Sequence, residues 1–133
     1  MIRCTYAFTL ALFAMVATPA SAEWVKMYEG NLGTSYIDLV TIHQNGNFAQ
    51  VLQIQDLNEA GRAGEMSRQL LVEYDCKEHR SRVLSYSAHS GVMASGQSLV
   101  SENFSESNPG PWGLTPPNSP AETISRNVCS VQL

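Results

Sequence analysis

The sequence lacks an apolar run long enough to cross a membrane. Its longest apolar stretch, residues 6–17, has about a dozen residues, whereas a membrane-spanning helix needs roughly 20. Small residues follow at positions 20–22, in the pattern that a signal peptidase cleaves. We therefore predict a secretory signal peptide over residues 1–22 and a mature single domain over residues 23–133, without a stable membrane anchor.

Basic residues are also scarce. The chain has 8 Lys and Arg against 12 Asp and Glu, and the loss of Arg3 with the signal peptide takes the net charge from −4 to −5. An acidic balance favours solubility. Nucleic acid and anionic membranes call for a basic face on the protein, so the composition argues against both as the main partner.

Cysteine occurs only three times, and Cys4 lies inside the predicted signal peptide. The remaining two, Cys76 and Cys129, most simply form one disulfide in an exported domain. Such a bridge would close a loop of more than fifty residues and contribute roughly 4 kcal/mol in the chain-entropy model. Free thiols or a metal site are the alternatives, although two cysteines without matched histidines make a poor zinc set.

Groups arranged for catalysis are missing from the sequence. His43, His79 and His89 do not have the spacing of metal ligands. No serine lies in a nucleophile-elbow pattern, and no glycine-rich segment ends in the Gly-Lys-Ser/Thr of a phosphate loop. Asp38 ends an apolar strand, where we expect it to accept hydrogen bonds from backbone N–H groups of the next turn. We predict no catalytic residues, no metal, no cofactor and no enzymatic activity.

Apolar and polar residues alternate over most of the mature chain, which is the pattern of β-strands. The clearest strand covers residues 66–77. Its even-numbered residues from Leu70 to Cys76 are predicted to face the core, while Glu73 and Asp75 share a solvent-exposed face. The predicted strands cover residues 23–29, 34–39, 48–57, 66–77, 80–90 and 97–103.

Turns and loops separate these strands. Asn45-Gly46 is a strong turn signal, because both residues accept positive φ. Residues 58–65 are polar and contain two glycines, which predicts an exposed loop. In the fifth predicted strand, residues 80–90, alternation predicts that Leu84, Tyr86 and Ala88 point inward.

The end of the chain changes in character. Residues 104–119 are rich in Ser, Asn, Pro and Gly, which predicts a loop without regular structure that Trp112 anchors against the sheet. Ser119 and Glu122 have the spacing of a capped helix start. Apolar residues follow at helical spacing: Ala121, Ile124, Val128 and Cys129. The predicted fold class is α+β, with a roughly six-stranded antiparallel sheet and a short C-terminal helix packed on it and disulfide-linked to it.

At this point the sequence resembles the surface-adhesin protein E family of Gram-negative bacteria. The resemblance covers most of the mature chain, and its motifs keep a fixed order. The residues that carry it are Trp24, Ser35-Tyr36-Ile37-Asp38, Thr41-Ile42, Gly46, Ser67, Asp75-Cys76, Arg82, Tyr86, Gly91, Pro111-Trp112, Pro116, Ser119, Glu122 and Cys129. The resemblance implies a six-stranded antiparallel sheet with a disulfide-linked C-terminal helix, and Trp24, Tyr36, Asp38, Trp112, Ser119 and Glu122 as structural positions.

The resemblance also implies a function, which is non-enzymatic binding of a protein partner such as a host extracellular-matrix or serum protein. The alternative is a soluble periplasmic structural or stress-related protein without a host ligand. We expect the periplasm as the location, with the cell surface as the other choice. An exposed edge strand would also permit a homodimer.

A local basic cluster, formed by Lys77, Arg80 and Arg82, is the clearest candidate for partner binding. It could be a docking patch for an acidic segment, or an ordinary charged hairpin that Glu78 dilutes. Arg62 and Arg68 lie on either side of Ser67, which is one of the residues that carry the resemblance. The candidate partner-binding residues are therefore Arg62, Arg68, Lys77, Arg80 and Arg82.

Overall fold

The computed structural model describes residues 22–104, 108 and 110–130. The predicted signal peptide lies outside the described residues, apart from Ala22. The described part contains eight strands, one α-helix and a 3-10 turn at Leu39–Thr41. The elements are β1 (Trp24–Gly30), β2 (Gly33–Asp38), β3 (His43–Asn45), β4 (Phe48–Leu57), β5 (Ser67–Asp75), β6 (Arg80–His89), β7 (Ser98–Asn103), β8 (Gly113–Leu114) and α1 (Pro120–Ser130).

All eight strands belong to one antiparallel sheet, whose long strands follow the order β1-β2-β4-β5-β6-β7. The two short strands extend it, because β3 pairs with the start of β4 and β8 with the start of β6. The six long strands confirm the predicted sheet, and β4 has the predicted bounds. The two-residue strand β8 differs from the prediction that residues 104–119 lack regular structure.

The predicted turn at Asn45-Gly46 is confirmed. Gly46 has a φ of 62°, in the left-handed region that glycine adopts without steric cost. Asn45 pairs with Phe48 across this turn, so β3 and β4 form a tight hairpin. The hairpin sets the register in which Phe48 and the rest of β4 meet β5.

The core lies between the sheet and α1. Its buried members are Ile37, Ala49, Val51, Leu70, Val72, Tyr74, Ile124 and Val128. Leu70, Val72 and Tyr74 alternate along β5, so they share the core face as predicted. The Tyr74 hydroxyl donates to Gln53 Oε1 at 2.9 Å, and burial raises its pKa well above the ordinary value.

A β-bulge interrupts the pairing of β5 with β6. Ser85 pairs with Leu71 and Val83 pairs with Val72, which leaves Leu84 as an extra residue on β6. As a result Val83 packs against the core and Leu84 is only half-buried, outside the core cluster. The prediction that Leu84 points inward is therefore wrong. Hydrophobic alternation alone does not reveal where a strand gains an extra residue.

The helix α1 begins where the capping pattern predicts. Ser119 Oγ accepts a hydrogen bond from the Glu122 N–H at 3.2 Å. The Glu122 carboxylate reaches back to the N–H of Asn118, one residue before the cap. Ile124 and Val128 are buried against the sheet, so the helix turns its apolar side inward as predicted.

A disulfide joins α1 to the sheet. Cys76 follows directly after β5, and Cys129 lies in the last turn of α1; their Cα atoms are 5.7 Å apart. The predicted Cys76–Cys129 pairing is confirmed. The bridge fixes the C-terminal end of the helix, and Gln44 adds a hydrogen bond from Nε2 to the Cys129 carbonyl at 3.4 Å.

Candidate partner-binding site

An open groove lies on the sheet face that points away from α1. Two cross-strand rows lie along it, Phe48–Asp75–Arg80 and Gln50–Glu73–Arg82, and all of these residues except the buried Asp75 line the groove. These residues alternate with the core residues Ala49 and Tyr74, so they point to the opposite side of the sheet. The groove has a volume of about 400 Å³, and its other lining residues are His43, Asn45 and Trp112.

A carboxylate holds each arginine of the groove. Arg80 Nε donates to Asp75 Oδ2 at 3.0 Å, and Arg82 Nε donates to Glu73 Oε1 at 2.9 Å. Glu73 and Asp75 are only 9% and 3% exposed. The prediction that both carboxylates share a solvent-exposed face is therefore wrong, because the arginines of the neighbouring strand and Trp112 lie over this part of the sheet.

Trp112 lies against both arginines. The guanidinium carbons of Arg80 and Arg82 are 4.5 Å and 4.4 Å from the centroid of its ring, within the range of a cation–π contact. The Phe48 ring lies 6.0 Å away, centroid to centroid, and is tilted by 35°. These contacts anchor the chain around Trp112 to the sheet, as the sequence predicts for this residue.

Asp75 organises the turn between β5 and β6 as well as Arg80. Burial acts to raise the pKa of its carboxyl, but hydrogen bonds from the Glu78 N–H, the Arg80 guanidinium and the Lys77 N–H outweigh burial, so the pKa lies below its ordinary value. Asp75 Oδ1 accepts from the N–H groups of Lys77 at 3.2 Å and Glu78 at 3.1 Å. The carboxylate thus fixes the hairpin and Arg80 together.

The structure divides the predicted basic residues between two places. Arg80 and Arg82 lie together in the groove, and Lys77 is exposed in the adjoining turn. Arg62 is exposed in the loop before β5, and Arg68 lies at the start of that strand. Arg68 lies seven positions along the extended strand, about 23 Å, from Asp75, the end of β5 that meets Arg80. The five residues therefore do not form one patch.

The loop of residues 58–65 is held by a buried carboxylate. Glu65 is 3% exposed, so the prediction that the loop is exposed throughout is wrong at this position. Its Oε1 accepts from Arg68 Nη2 at 2.9 Å and its Oε2 from the Ala63 N–H at 2.9 Å. The hydrogen bond from Arg68 is the largest cause that lowers the pKa of Glu65. A Cβ on Gly61 would lie 1.9 Å from Glu65 Oε1, so a larger residue there would have to displace the Glu65 carboxylate.

Arg68 also borders a second groove, at the turn between β1 and β2. This groove has a volume of about 440 Å³ and includes Tyr28, Leu32 and Pro120. Leu32 is 87% exposed at the tip of the turn. Because Arg68 is committed to the buried Glu65, this end of the sheet offers a less basic surface than the sequence suggests.

The other predicted structural positions have local tasks. Asp38 Oδ1 accepts hydrogen bonds from the Val40 N–H at 3.2 Å and the Glu23 N–H at 3.0 Å, so it closes the 3-10 turn as predicted. Trp24 pairs with Asp38 across β1 and β2, and Tyr36 pairs with Ile54 across β2 and β4. All three residues therefore lie in the first hairpin, in which Tyr36 also pairs with Lys26.

Sequence reasoning misses part of the groove. His43, Asn45, Phe48 and Gln50 come from the β3–β4 hairpin and carry no motif of their own. The Asn45-Gly46 turn is the one signal that could place them beside β5. In the described ranges of the chain, no group of three or more His, Cys, Asp or Glu side chains could hold a metal ion. No helix among those residues is both long and apolar enough to cross a membrane.

The fold has counterparts among solved structures. The selenomethionine form of Haemophilus influenzae protein E has a TM-score of 0.62 and 10% sequence identity, over 86% of this chain and 93% of that one. Crystal form II of the same protein has a TM-score of 0.60 and 10% sequence identity, over 86% of this chain and 94% of that one. Protein E from non-typeable Haemophilus influenzae has a TM-score of 0.56 and 10% sequence identity, over 86% of this chain and 82% of that one. At this identity the likeness shows the fold.

Comparison with proteins of curated function gives no significant match. Comparison with family patterns gives one, described as Surface-adhesin protein E, over residues 24–130. This match spans every strand of the sheet and the whole of α1, in agreement with the resemblance that the motifs indicate. The chain belongs to the surface-adhesin protein E family.

Proposed function

We propose that this is an exported protein whose mature domain, residues 23–133, binds a protein partner and does not act as an enzyme. The proposed export rests on the signal-peptide pattern of residues 1–22. Membership of an adhesin family supports partner binding as the role of the domain. We place the protein in the periplasm after cleavage, and exposure at the cell surface is the outcome that would extend its partners to host matrix or serum proteins.

The observation that carries the proposal is the arrangement of Arg80, Arg82 and Trp112 in the groove. Arginine and tryptophan are the residue types that most often dominate binding energy at protein interfaces. Here both guanidinium groups are already held by carboxylates and by the indole ring. Little side-chain freedom is therefore lost when a partner binds, which favours affinity.

The groove also has the mixed character of an interface. Phe48 is 38% exposed at its edge and offers an apolar contact. His43 and Asn45 are exposed beside it and offer hydrogen-bonding groups. An aromatic centre with polar groups at its rim is the usual composition of a protein-binding patch.

Binding of the mature protein to envelope extract and to purified host matrix proteins tests this function. The informative variants are Trp112→Ala and Arg82→Gln, with Arg126→Gln on the exposed side of α1 as the matched control. We expect each groove variant to raise the Kd by roughly 10–100-fold, as truncation of an interface hot spot does, and the control to leave it unchanged. Binding that is equal in all four proteins would reject the groove as the site.

Protease treatment of intact cells, compared with cells whose outer membrane has been opened, tests the location. Protection until the membrane is opened supports the periplasm and a partner within the envelope. Digestion on intact cells would place the domain at the surface and direct the binding assays to host proteins.

A further inference from the structure

We propose that Asp38 is the binding site for the α-ammonium group that is created when the signal peptide is removed. The backbone nitrogen of Glu23 lies 3.0 Å from Asp38 Oδ1. In the precursor this nitrogen is an amide that donates one hydrogen bond. Cleavage after Ala22 would convert it into a charged group with three N–H donors at the same place. The inference rests on the proposed cleavage site.

Asp38 is a buried carboxylate that a nearby cation would stabilise. Asp38 is 3% exposed, yet none of the ion pairs among the described residues includes it. Its carboxylate accepts from two backbone N–H groups, those of Glu23 and Val40. A buried carboxylate is strongly stabilised by a hydrogen-bonded positive charge, because burial removes most of its hydration.

The backbone holds Glu23 in place independently of the residues before it. The Leu39 N–H donates to the Glu23 carbonyl oxygen at 3.0 Å, and the next residue, Trp24, pairs with Asp38. Ala22 and Glu23 are themselves exposed and outside any strand. Removal of the chain before Glu23 therefore takes away none of these contacts, and the new ammonium group stays beside Asp38.

The carboxylate is equally fixed. Asp38 precedes the 3-10 turn at Leu39–Thr41 and caps it through Val40. Thr41 Oγ1 donates to the Asp38 carbonyl at 2.7 Å and accepts from the Leu52 N–H at 2.9 Å, which ties the turn to β4. The ion pair would thus join the first residue of the mature chain to the second, third and fourth strands of the sheet. Processing during export then strengthens the fold at its N-terminal edge.

Four proteins test the pair: chains of residues 23–133 and 22–133, each with Asp38 and with Asp38→Asn. The extra Ala22 keeps the Glu23 N–H but moves the positive charge away by one residue, about 3.8 Å. We expect Ala22 to lower the equilibrium constant for folding roughly five- to tenfold when Asp38 is present, because a charge-assisted hydrogen bond is about twice as strong as a neutral one. With Asp38→Asn, Ala22 should have no effect.

An equal effect of Ala22 in both backgrounds would overturn the proposal. If Asp38→Asn does not fold, N-terminal acetylation replaces it, since acetylation removes the charge and keeps an N–H. Acetylation should then weaken chain 23–133 and leave chain 22–133 unchanged, and equal weakening would again reject the pair. The mass of the protein isolated from the cell envelope tests the cleavage site separately, so the two hypotheses can fail independently.

Discussion

Ser67 and Gly91 lie 24 positions apart, and the Ser67 hydroxyl donates a 2.6 Å hydrogen bond to the Gly91 carbonyl oxygen. The same hydroxyl oxygen accepts from the Ala94 N–H at 2.9 Å. Ser67 is fully buried, so these two bonds fix the β6–β7 loop to the start of β5 without help from solvent. This serine is one of the residues that carry the family resemblance, and its role in this structure is to hold a loop.

Replacement of Ser67 by alanine should therefore destabilise the domain. Ser67→Ala leaves the Gly91 carbonyl and the Ala94 N–H without their partner, and we expect a loss of about 1–3 kcal/mol in the free energy of unfolding. Urea unfolding measures the change. Ser101→Ala on the exposed strand β7 is the control and should have little effect. Equal stability of both variants would mean that water or another group replaces the hydroxyl.

The disulfide is expected to provide a large part of the stability of this small domain. It closes a loop between positions 53 apart, so Cys76→Ser or Cys129→Ser should lower the free energy of unfolding by about 2–5 kcal/mol. Thermal melting with and without reductant measures the effect. The doubly substituted protein should melt at the same temperature in both conditions. Wild-type melting that does not respond to full reduction would contradict the expected contribution.

The strands and the helix could be predicted from the sequence because each depends on a local pattern. The disulfide pairing could be predicted because only two cysteines follow the predicted signal peptide. Alternation gives the bounds of β4, and the spacing from Ser119 to Glu122 gives the start of α1. The burial of Glu73 and Asp75 could not be predicted in this way. Their exposure depends on the side chains that cover them, which come from the neighbouring strand and from Trp112. Hydrophobic alternation along β5 gives neither the register of β5 against β6 nor the position of Trp112.

The groove shows the same limit. The sequence identifies Arg80 and Arg82 as a basic cluster, and Trp112 as a loop anchor, as two unrelated features. The pairing of β6 with β5 and with β8 brings both guanidinium carbons to within 4.5 Å of the Trp112 ring centroid. The bulge at Leu84 also escapes prediction, because one inserted residue leaves the composition of β6 unchanged.

The pH dependence of stability follows from two carboxylates whose pKa lies below its ordinary value. Burial acts to raise the pKa of Asp75, but its hydrogen bonds lower it further, and the Arg68 hydrogen bond lowers the pKa of Glu65. In the unfolded state the pKa values of Asp and Glu are about 3.9 and 4.3. As the pH falls, the unfolded state therefore binds protons at a higher pH than the folded state. Both carboxylates stabilise the fold above their unfolded pKa values, and this stabilisation is lost as the pH falls through their lower folded pKa values.

We expect the urea midpoint of the wild type to fall between about pH 5 and pH 3. Asp75→Asn and Glu65→Gln should each lower the midpoint at neutral pH and make the fall at acid pH shallower. Glu59→Gln, in the exposed part of the loop before β5, is the control and should follow the wild type. A wild-type midpoint that stays constant over this range would show that neither carboxylate stabilises the folded state.

Photocross-linking in living cells would show whether the groove beside Trp112 binds a protein partner. A photoreactive phenylalanine analogue would replace Phe48, which is 38% exposed at the groove, and in a control protein would replace Leu32 at the far turn. We expect one discrete cross-linked protein from position 48, which is lost when Arg82→Gln is added. Position 32 should not give this cross-linked protein. The same cross-linked species from both positions, or none from position 48, would contradict this expectation.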